Sequence, residues 1–162
     1  MRILYVIILF SLTALAGCHF FEPRDMSSFT VIKDKKQLGN LNGVWQATGF
    51  SYDMIKSEDY KVDSIKLILH KDSTFEAVNL PDCLGDEFGR PVKRLLLHAT
   101  GRWGLDTISN VWHMEMDFNK GKLYKQRTII YLQLYFSGNR TMMFTYVGDP
   151  DEAKFLEFEK VK

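Results

Sequence analysis

The sequence predicts an all-β domain in which eight short antiparallel strands fold, up and down, into a barrel or a strongly curled sheet. From Leu41 onward, apolar and polar residues alternate with a period of two, the pattern of strands with one buried face. The apolar segments are short and evenly spaced, and turn residues separate them. Closure would also remove the exposed edges that such apolar strands could not safely leave open.

The predicted elements follow one another along residues 41–162. Strand 111–118 has the clearest pattern, because Trp112, Met114 and Met116 alternate with polar residues. The connections 137–140 and 148–151 read Ser-Gly-Asn-Arg and Gly-Asp-Pro-Asp, residues that tight hairpin turns require. Residues 51–60 are expected to form a loop or one short helix, and 80–92 a longer irregular connection. The predicted strands are 43–50, 61–70, 75–79, 93–105, 111–118, 127–136, 141–147 and 154–161.

The amino terminus carries a different pattern. Arg2 is the only charge before Glu22, and the apolar run 3–15 has the length of a signal-peptide core. It ends in Leu15-Ala16-Gly17-Cys18, and here the chain resembles bacterial lipoproteins, whose lipobox has this form. The resemblance implies a cleaved signal peptide at 1–17, an acylated Cys18 followed by a tether to residue 40, and a barrel domain at 41–162. The alternative is an uncleaved membrane helix over 3–21.

The lipobox resemblance also implies where the protein lies. Palmitate and the other acyl chains on Cys18 would form a stable membrane anchor, because two or more chains are needed for lasting attachment. In enteric-type bacteria an Asp directly after the acylated cysteine retains a lipoprotein in the inner membrane, and His19 occupies that position. The expected location is therefore the cell envelope, in the outer membrane if the organism has one.

Charge and cysteine content exclude several classes of function. The chain has 21 Lys and Arg against 20 Asp and Glu, and Arg2 leaves with the signal peptide. A balanced domain has no overall field to attract nucleic acid, so no nucleic-acid partner is expected. Acylation of Cys18 leaves Cys83 without a partner in the chain, and no neighbouring His or Cys-x-x-Cys motif activates it. We therefore expect Cys83 to be inert or merely exposed, and the alternative is a disulfide with another chain.

Two segments each place a tryptophan two residues after a glycine: Gly43 with Trp45 in LNGVWQATGF, and Gly101 with Trp103 in ATGRWGLDTI. The first resembles the opening motif of the lipocalins and their calycin relatives. That resemblance implies that the glycine lets the strand bend and that the tryptophan plugs the closed end of a barrel. Lipocalins proper have an arginine on the last strand, whereas 154–162 contains only lysines as basic residues. The resemblance is thus to a lipocalin-like barrel.

No catalytic pattern is found, and we expect a noncatalytic protein without a cofactor. His113, Glu115 and Asp117 lie on one side of a strand and have side chains that suit a divalent cation. Residues two apart on a strand are about 7 Å apart and project in parallel, so a solvated outer face explains them better than a metal site. The acidic turn 149–152 is expected to be a hairpin rather than a calcium site.

Two functional hypotheses remain. In the first, the barrel binds a small apolar or amphipathic ligand, with 80–92 as its rim. The expected lining residues are Trp45, Leu67, Trp103, Trp112, Met114, Met116, Phe144 and Tyr146. In the second, the core is filled, and an outer apolar strip around Tyr131 and Tyr135 binds an envelope protein, as in an inhibitor, immunity or assembly factor. Segment 129–136 is apolar on both faces, so its outer face must be covered by 51–60, by the tether or by another protein.

Overall fold

The computed structural model describes residues 26–61, 64–85 and 93–161. That part of the chain contains nine strands, one α-helix and three short 3₁₀ helices at Lys35–Gln37, Asp82–Gly85 and Pro150–Glu152. The strands and the helix are β1 (Phe29–Val31), β2 (Gly43–Ala47), α1 (Gly49–Ser57), β3 (Lys66–Leu69), β4 (Thr74–Pro81), β5 (Leu96–Ile108), β6 (Val111–Phe118), β7 (Thr128–Ser137), β8 (Arg140–Tyr146) and β9 (Phe155–Lys160).

Eight of these strands close into an antiparallel barrel. From β2 to β9, each strand pairs with the next along the chain. The ring closes because β2 also pairs with β9, where Trp45 lies opposite Lys160. Every strand of the ring is therefore hydrogen-bonded to two neighbours, which leaves no free edge within it. The predicted all-β fold class is confirmed, and each predicted strand corresponds to one of β2–β9.

The up-and-down order gives the barrel two distinct ends. At the Trp45 end, β2 begins, β9 ends, and the β3–β4, β5–β6 and β7–β8 hairpins turn. At the α1 end lie helix α1 and the β4–β5, β6–β7 and β8–β9 connections. Different segments close the two ends, so access to the barrel interior depends on how these segments pack.

Helix α1 covers the α1 end. The first predicted strand ends at Ala47 rather than at residue 50, because the side chain of Thr48 caps the helix by accepting a hydrogen bond from the Ser51 amide. Met54 and Ile55 on the inner side of α1 are both 0% exposed and belong to the barrel core. The helix thus closes this end with two fully buried apolar side chains.

The described part of the expected tether is folded onto the barrel. Strand β1 pairs with β7, with Phe29 opposite Ser137 and Val31 opposite Tyr135. Ile32 and Leu38 then join the core, so this segment covers the Trp45 end. The driving force is burial of the apolar residues in a stretch that is otherwise polar. The signal peptide and residues 18–25 lie outside the described residues.

The core occupies the inside of the barrel, where alternate residues of each strand meet. In β6, Met114 and Met116 are fully buried, and in β7 Leu132 and Leu134 are 1% and 0% exposed. Gly43 adopts a φ of +125°, a conformation that glycine tolerates and other residues rarely adopt. This places Trp45, two residues later, inside the barrel with 0% exposure, as the Gly-x-Trp motif predicts.

Candidate functional site

Six of the eight expected lining residues face the barrel interior. Trp45, Leu67, Met114 and Met116 are buried members of the main core, and Trp103 and Trp112 pack against it. The other two do not line the interior. Met143 is the inward residue of β8, whereas Phe144 belongs to a second apolar cluster and Tyr146 is 44% exposed. Both faces of β8 are apolar, so the alternation that identifies an inner face elsewhere is missing there.

The middle of the barrel is filled by side chains. Trp45, Met114, Met116 and Met143 are each 0% exposed, and Leu67 is 2% exposed. A cavity that held even one water molecule would leave accessible surface on the side chains around it. A ligand inside the barrel would therefore have to displace packed side chains, which is costly in an interior of crystal-like density.

The three tryptophans tie the barrel to the backbone that closes the Trp45 end. The indole Nε1 of Trp45 donates to the Leu41 carbonyl at 2.8 Å, and that of Trp103 donates to the His70 carbonyl at 3.0 Å. The Nε1 of Trp112 donates to the Lys33 carbonyl at 3.2 Å. Each indole thus satisfies its only polar group within the chain, so these residues serve as structural plugs.

A cleft of about 310 Å³ opens beside this plug. Its apolar wall is formed by Leu38, Leu41, Trp45 and Val161, and its polar wall by Asn40, Arg140, Thr141 and Lys160. The Lys160 ammonium donates to the Asn40 carbonyl at 2.6 Å, and Arg140 is paired with Glu159. An amphipathic anion bound here would meet apolar surface, but it would compete with Glu159 and the Asn40 carbonyl for the two cations.

A second cleft, of about 290 Å³, lies at the α1 end. It is lined by Glu58, Tyr60, Cys83, Arg94, Val147, Glu152 and Lys154. Leu80 to Gly85, the first part of the expected rim, leads into it, whereas 86–92 lies outside the described residues. Most of the ionic groups of this cleft already have partners in the chain.

The ionic groups of this cleft form ion pairs and hydrogen bonds with one another and with the residues beside them. Lys154 Nζ lies 2.7 Å from a Glu58 oxygen and 3.0 Å from a Glu152 oxygen, and these hydrogen bonds raise the pKa of Lys154. The Arg94 guanidinium donates to the Glu58 carbonyl at 2.9 Å and lies 3.5 Å from Asp59. With its charges engaged in this way, the cleft offers little free electrostatic attraction to a ligand.

The interior wall of this cleft holds the thiol of the domain. Tyr60 donates a hydrogen bond to Asp82 at 2.7 Å and accepts one from the Cys83 amide at 3.1 Å. Burial raises the pKa of Cys83, and burial together with bonding to Cys83 and Asp82 raises the pKa of Tyr60 well above its usual range. Both groups are protonated at neutral pH, so neither is an activated nucleophile or base.

A second apolar cluster lies outside the barrel, on β7, β8 and β9. The ring of Phe29 stacks on Tyr135 with centroids 4.1 Å apart, and Phe50 of α1 packs on Phe155 at 4.8 Å. The amino-terminal segment and α1 therefore cover much of the outer face that sequence reasoning left in need of a cover. Tyr135, one of the two residues expected to mark an exposed strip, is 0% exposed.

The cover is fastened by a buried carboxylate that sequence reasoning missed. Glu157 is 0% exposed, and its side chain accepts hydrogen bonds from Tyr135 and, at 2.7 Å, from Thr48. The Ser51 hydroxyl also bonds the backbone of Glu157, donating to its carbonyl at 3.0 Å. In the sequence Glu157 alternates with apolar residues much as Glu159 does, so no signal distinguished it.

Part of the outer face stays uncovered. Ile129, Tyr131 and Tyr146 are 48%, 39% and 44% exposed, and we call these three residues the outer patch. Ile129 and Tyr131 lie two residues apart on β7, and Tyr146 is the last residue of β8, the next strand of the ring. Single exposed apolar side chains are common on protein surfaces, but three of this size on two neighbouring strands form a candidate surface for contact with another molecule.

The polar residues of β6 are engaged in contacts of their own. The Arg127 guanidinium donates hydrogen bonds to both carboxylate oxygens of Asp117 and lowers the pKa of that carboxyl. The ring of His113 meets Tyr131 edge-on, with centroids 6.4 Å apart. Within residues 26–61, 64–85 and 93–161, no three His, Cys, Asp or Glu side chains are grouped so that they could hold a metal ion.

Among the helices that the structure describes, none has the length and apolarity needed to cross a bilayer. No protein-family model, curated protein or solved structure matches this chain significantly. The fold is thus established by its own geometry, a closed eight-stranded antiparallel barrel that is compatible with a lipocalin-like architecture.

Proposed function

We propose that this chain is a noncatalytic lipoprotein of the bacterial cell envelope that binds another protein through the outer patch. The anchor is supported by the sequence Leu15-Ala16-Gly17-Cys18 after an apolar run, with acylation at Cys18. His19 favours the outer membrane where one exists. Replacement of Cys18 by Ser should release the protein from membranes and abolish incorporation of an alkyne-labelled palmitate. Continued membrane retention of that variant would support an uncleaved helix instead.

The observation that carries the partner function is the contrast between a filled interior and an uncovered outer patch. The side chains at mid-barrel have almost no accessible surface to offer a ligand, whereas Ile129 and Tyr131 of β7 and Tyr146 of the neighbouring β8 expose aliphatic and aromatic surface. Tyrosine is enriched at protein interfaces because its ring is apolar and its hydroxyl remains wet. Among the described residues, α1 and the amino-terminal segment leave these three side chains uncovered, and we propose a protein partner as their cover.

Site-specific photocrosslinking tests this function in the native envelope. A photoreactive phenylalanine analogue is placed at Tyr131 and, as a matched control, at Glu76, which is exposed on β4 on the far side of the ring. We expect a discrete adduct with another protein from position 131 and none from position 76. The double variant Ile129→Ser, Tyr146→Ser should lose that adduct. Equal labelling at both positions, or no adduct at 131, would contradict the proposal.

A second function, binding of a small apolar or amphipathic molecule, is supported by the cleft at the Trp45 end. Leu38, Leu41 and Val161 supply apolar surface there, beside Arg140 and Lys160. A fatty-acid titration followed by tryptophan fluorescence tests it, with Arg140→Gln as the variant. Saturable binding that this variant weakens would favour the ligand function. An unchanged emission spectrum would remove it and leave the partner function standing.

A further inference from the structure

We infer that the Trp45 end of the barrel lies against an anionic lipid surface, so that the α1 end and the outer patch point away from the membrane. The inference rests on the proposed anchor at Cys18 and adds an orientation to it. Two independent features support it: the place where the amino-terminal segment joins the barrel, and the residues exposed at that end.

The chain enters the barrel at the Trp45 end. Strand β1 begins at Phe29, opposite Ser137 in the β7–β8 hairpin, and that hairpin turns at the Trp45 end. Met26, the first described residue, is eight positions after Cys18. A chain of eight residues spans at most about 26–29 Å. The acylated surface and the Trp45 end are therefore held close together, with the α1 end a further barrel length away.

The surface at this end combines cations with exposed apolar side chains. Lys33, Lys35 and Lys36 are all exposed within four residues, against the single acidic residue Asp34. Ile108 in the β5–β6 hairpin and Val161 after β9 are 42% and 46% exposed. Lysines next to apolar side chains suit a lipid interface, because the ammonium groups meet phosphates while the apolar groups enter the headgroup layer.

The lysine cluster at this end lies on an ordered segment of the chain. The Lys35 ammonium lies 5.6 Å from the centre of the Trp112 ring, and Asp34 caps the short helix by accepting a hydrogen bond from the Lys36 amide at 2.9 Å. The lysine cluster is thus presented on a folded segment rather than on a loose chain. Less conformational entropy is lost when such a cluster binds a surface.

Another part of the molecule provides a matched control. Lys120, Lys122 and Lys125 in the β6–β7 connection are exposed at the α1 end and carry the same charge as the three amino-terminal lysines. If net charge alone drew the barrel to the membrane, the two clusters would act equally. Because the chain from Cys18 joins the barrel at the Trp45 end, we expect the cluster at that end to contact the lipid.

The test measures which end approaches the lipid in the acylated full-length chain. In a Cys83→Ser background, an environment-sensitive fluorophore is attached at Ile108→Cys or at Leu95→Cys, whose native residues are 42% and 47% exposed at opposite ends. The protein is reconstituted into vesicles of phosphatidylcholine with 30% phosphatidylglycerol, or of phosphatidylcholine alone, that contain a lipid quencher. We expect quenching at position 108 on the anionic vesicles only, and none at position 95.

Charge variants then quantify the contact. Each lysine near an anionic surface changes binding about fivefold, so K33Q/K35Q/K36Q should lower the docked-to-undocked ratio by roughly two orders of magnitude. The variant K120Q/K122Q/K125Q should leave that ratio unchanged. Raising the salt to about 1 M, where the Debye length falls to about 3 Å, should undock the wild type. Quenching at position 95 equal to that at 108, or equal effects of the two triple variants, would overturn the inference.

The intact mass of the purified protein tests the proposed acylation of Cys18 independently of the orientation. A mature chain that begins at Cys18 and carries acyl mass establishes the anchor, whatever the fluorophores report. If the chain lacks acyl mass, the proposed anchor has failed, and the same two fluorophores, now in a Cys18→Ser, Cys83→Ser background, read docking from free chain added to anionic vesicles. Quenching confined to position 108 would still support the orientation, and its absence at both positions would contradict it.

Discussion

Replacing Gly101 by alanine should destabilise the barrel strongly, although alanine is only one methyl group larger. An added Cβ at Gly101 would lie 2.1 Å from the Asp117 carbonyl oxygen and 2.7 Å from the ring of Phe75. The first contact involves the backbone of the neighbouring strand, where Arg102 pairs with Asp117, so rotation of a side chain cannot relieve it. Strands β5 and β6 would have to separate, with loss of interior packing around Phe75.

The expected cost follows from that overlap. Overpacking a core costs about 1–3 kcal/mol, and more where the backbone must move, so we expect about 3 kcal/mol for Gly101→Ala. In a domain of this size such a change lowers the melting temperature by about 6–12 °C. Gly104→Ala is the control on the same strand, because its added Cβ meets nothing within 4 Å. Reduced freedom of the unfolded chain should leave that variant as stable as the wild type or up to about 1 kcal/mol more stable.

The assay is thermal unfolding followed by circular dichroism, with urea unfolding to obtain the free energy. Equal melting temperatures for the two variants would refute the close approach of β5, β6 and Phe75. A greater loss in Gly104→Ala would refute the register of β5 as well.

Three further results are expected. Phe29→Ala should lower the free energy of unfolding by about 1–3 kcal/mol, because it uncovers the ring of Tyr135. The control Met26→Ala, at an exposed side chain, should change that free energy little. Equal free energies of unfolding for the two variants would show that β1 does not stabilise the domain. Arg127 lowers the pKa of Asp117 in the folded protein, so the pairing stabilises the fold at pH values above the ordinary carboxyl pKa, and this stabilisation is lost as pH falls through the lower, folded pKa. The urea midpoint should therefore decline less below pH 4 in Arg127→Gln than in the wild type. Parallel pH profiles of the two proteins would contradict this. Burial raises the pKa of Cys83, so iodoacetamide should alkylate it more slowly at pH 7.5 than it alkylates free cysteine, and a faster reaction would contradict the burial of this thiol.

The barrel could be predicted from sequence because its strands alternate clearly and its hairpins carry turn residues. β6 is the best example, since Met114 and Met116 alternate with charged neighbours and are fully buried. The residues that close the ring, Trp45 and Lys160, are separated by most of the domain. Closure was predicted from the need to hide edges rather than from any local pattern.

The candidate site was less predictable, and the reasons are physical. β8 is apolar on both faces, so Phe144 and Tyr146 were assigned to the interior although they lie outside the barrel. β1 spans only three residues in a polar stretch, too few to show a period. A barrel is filled when long side chains such as Met143 pack against one another across its axis, and hollow when they do not. Alternation along one strand shows which side chains face inward but not whether they fill the space between them.

A crystal structure determined under xenon pressure tests the central claim most directly. Xenon enters apolar cavities that water leaves empty, so a filled barrel should show no xenon among Met114, Met116 and Leu132, and continuous density for their side chains. Xenon bound there, or an elongated ligand copurified along the barrel axis, would contradict the filled interior. That outcome would favour ligand binding over protein binding as the function of this protein.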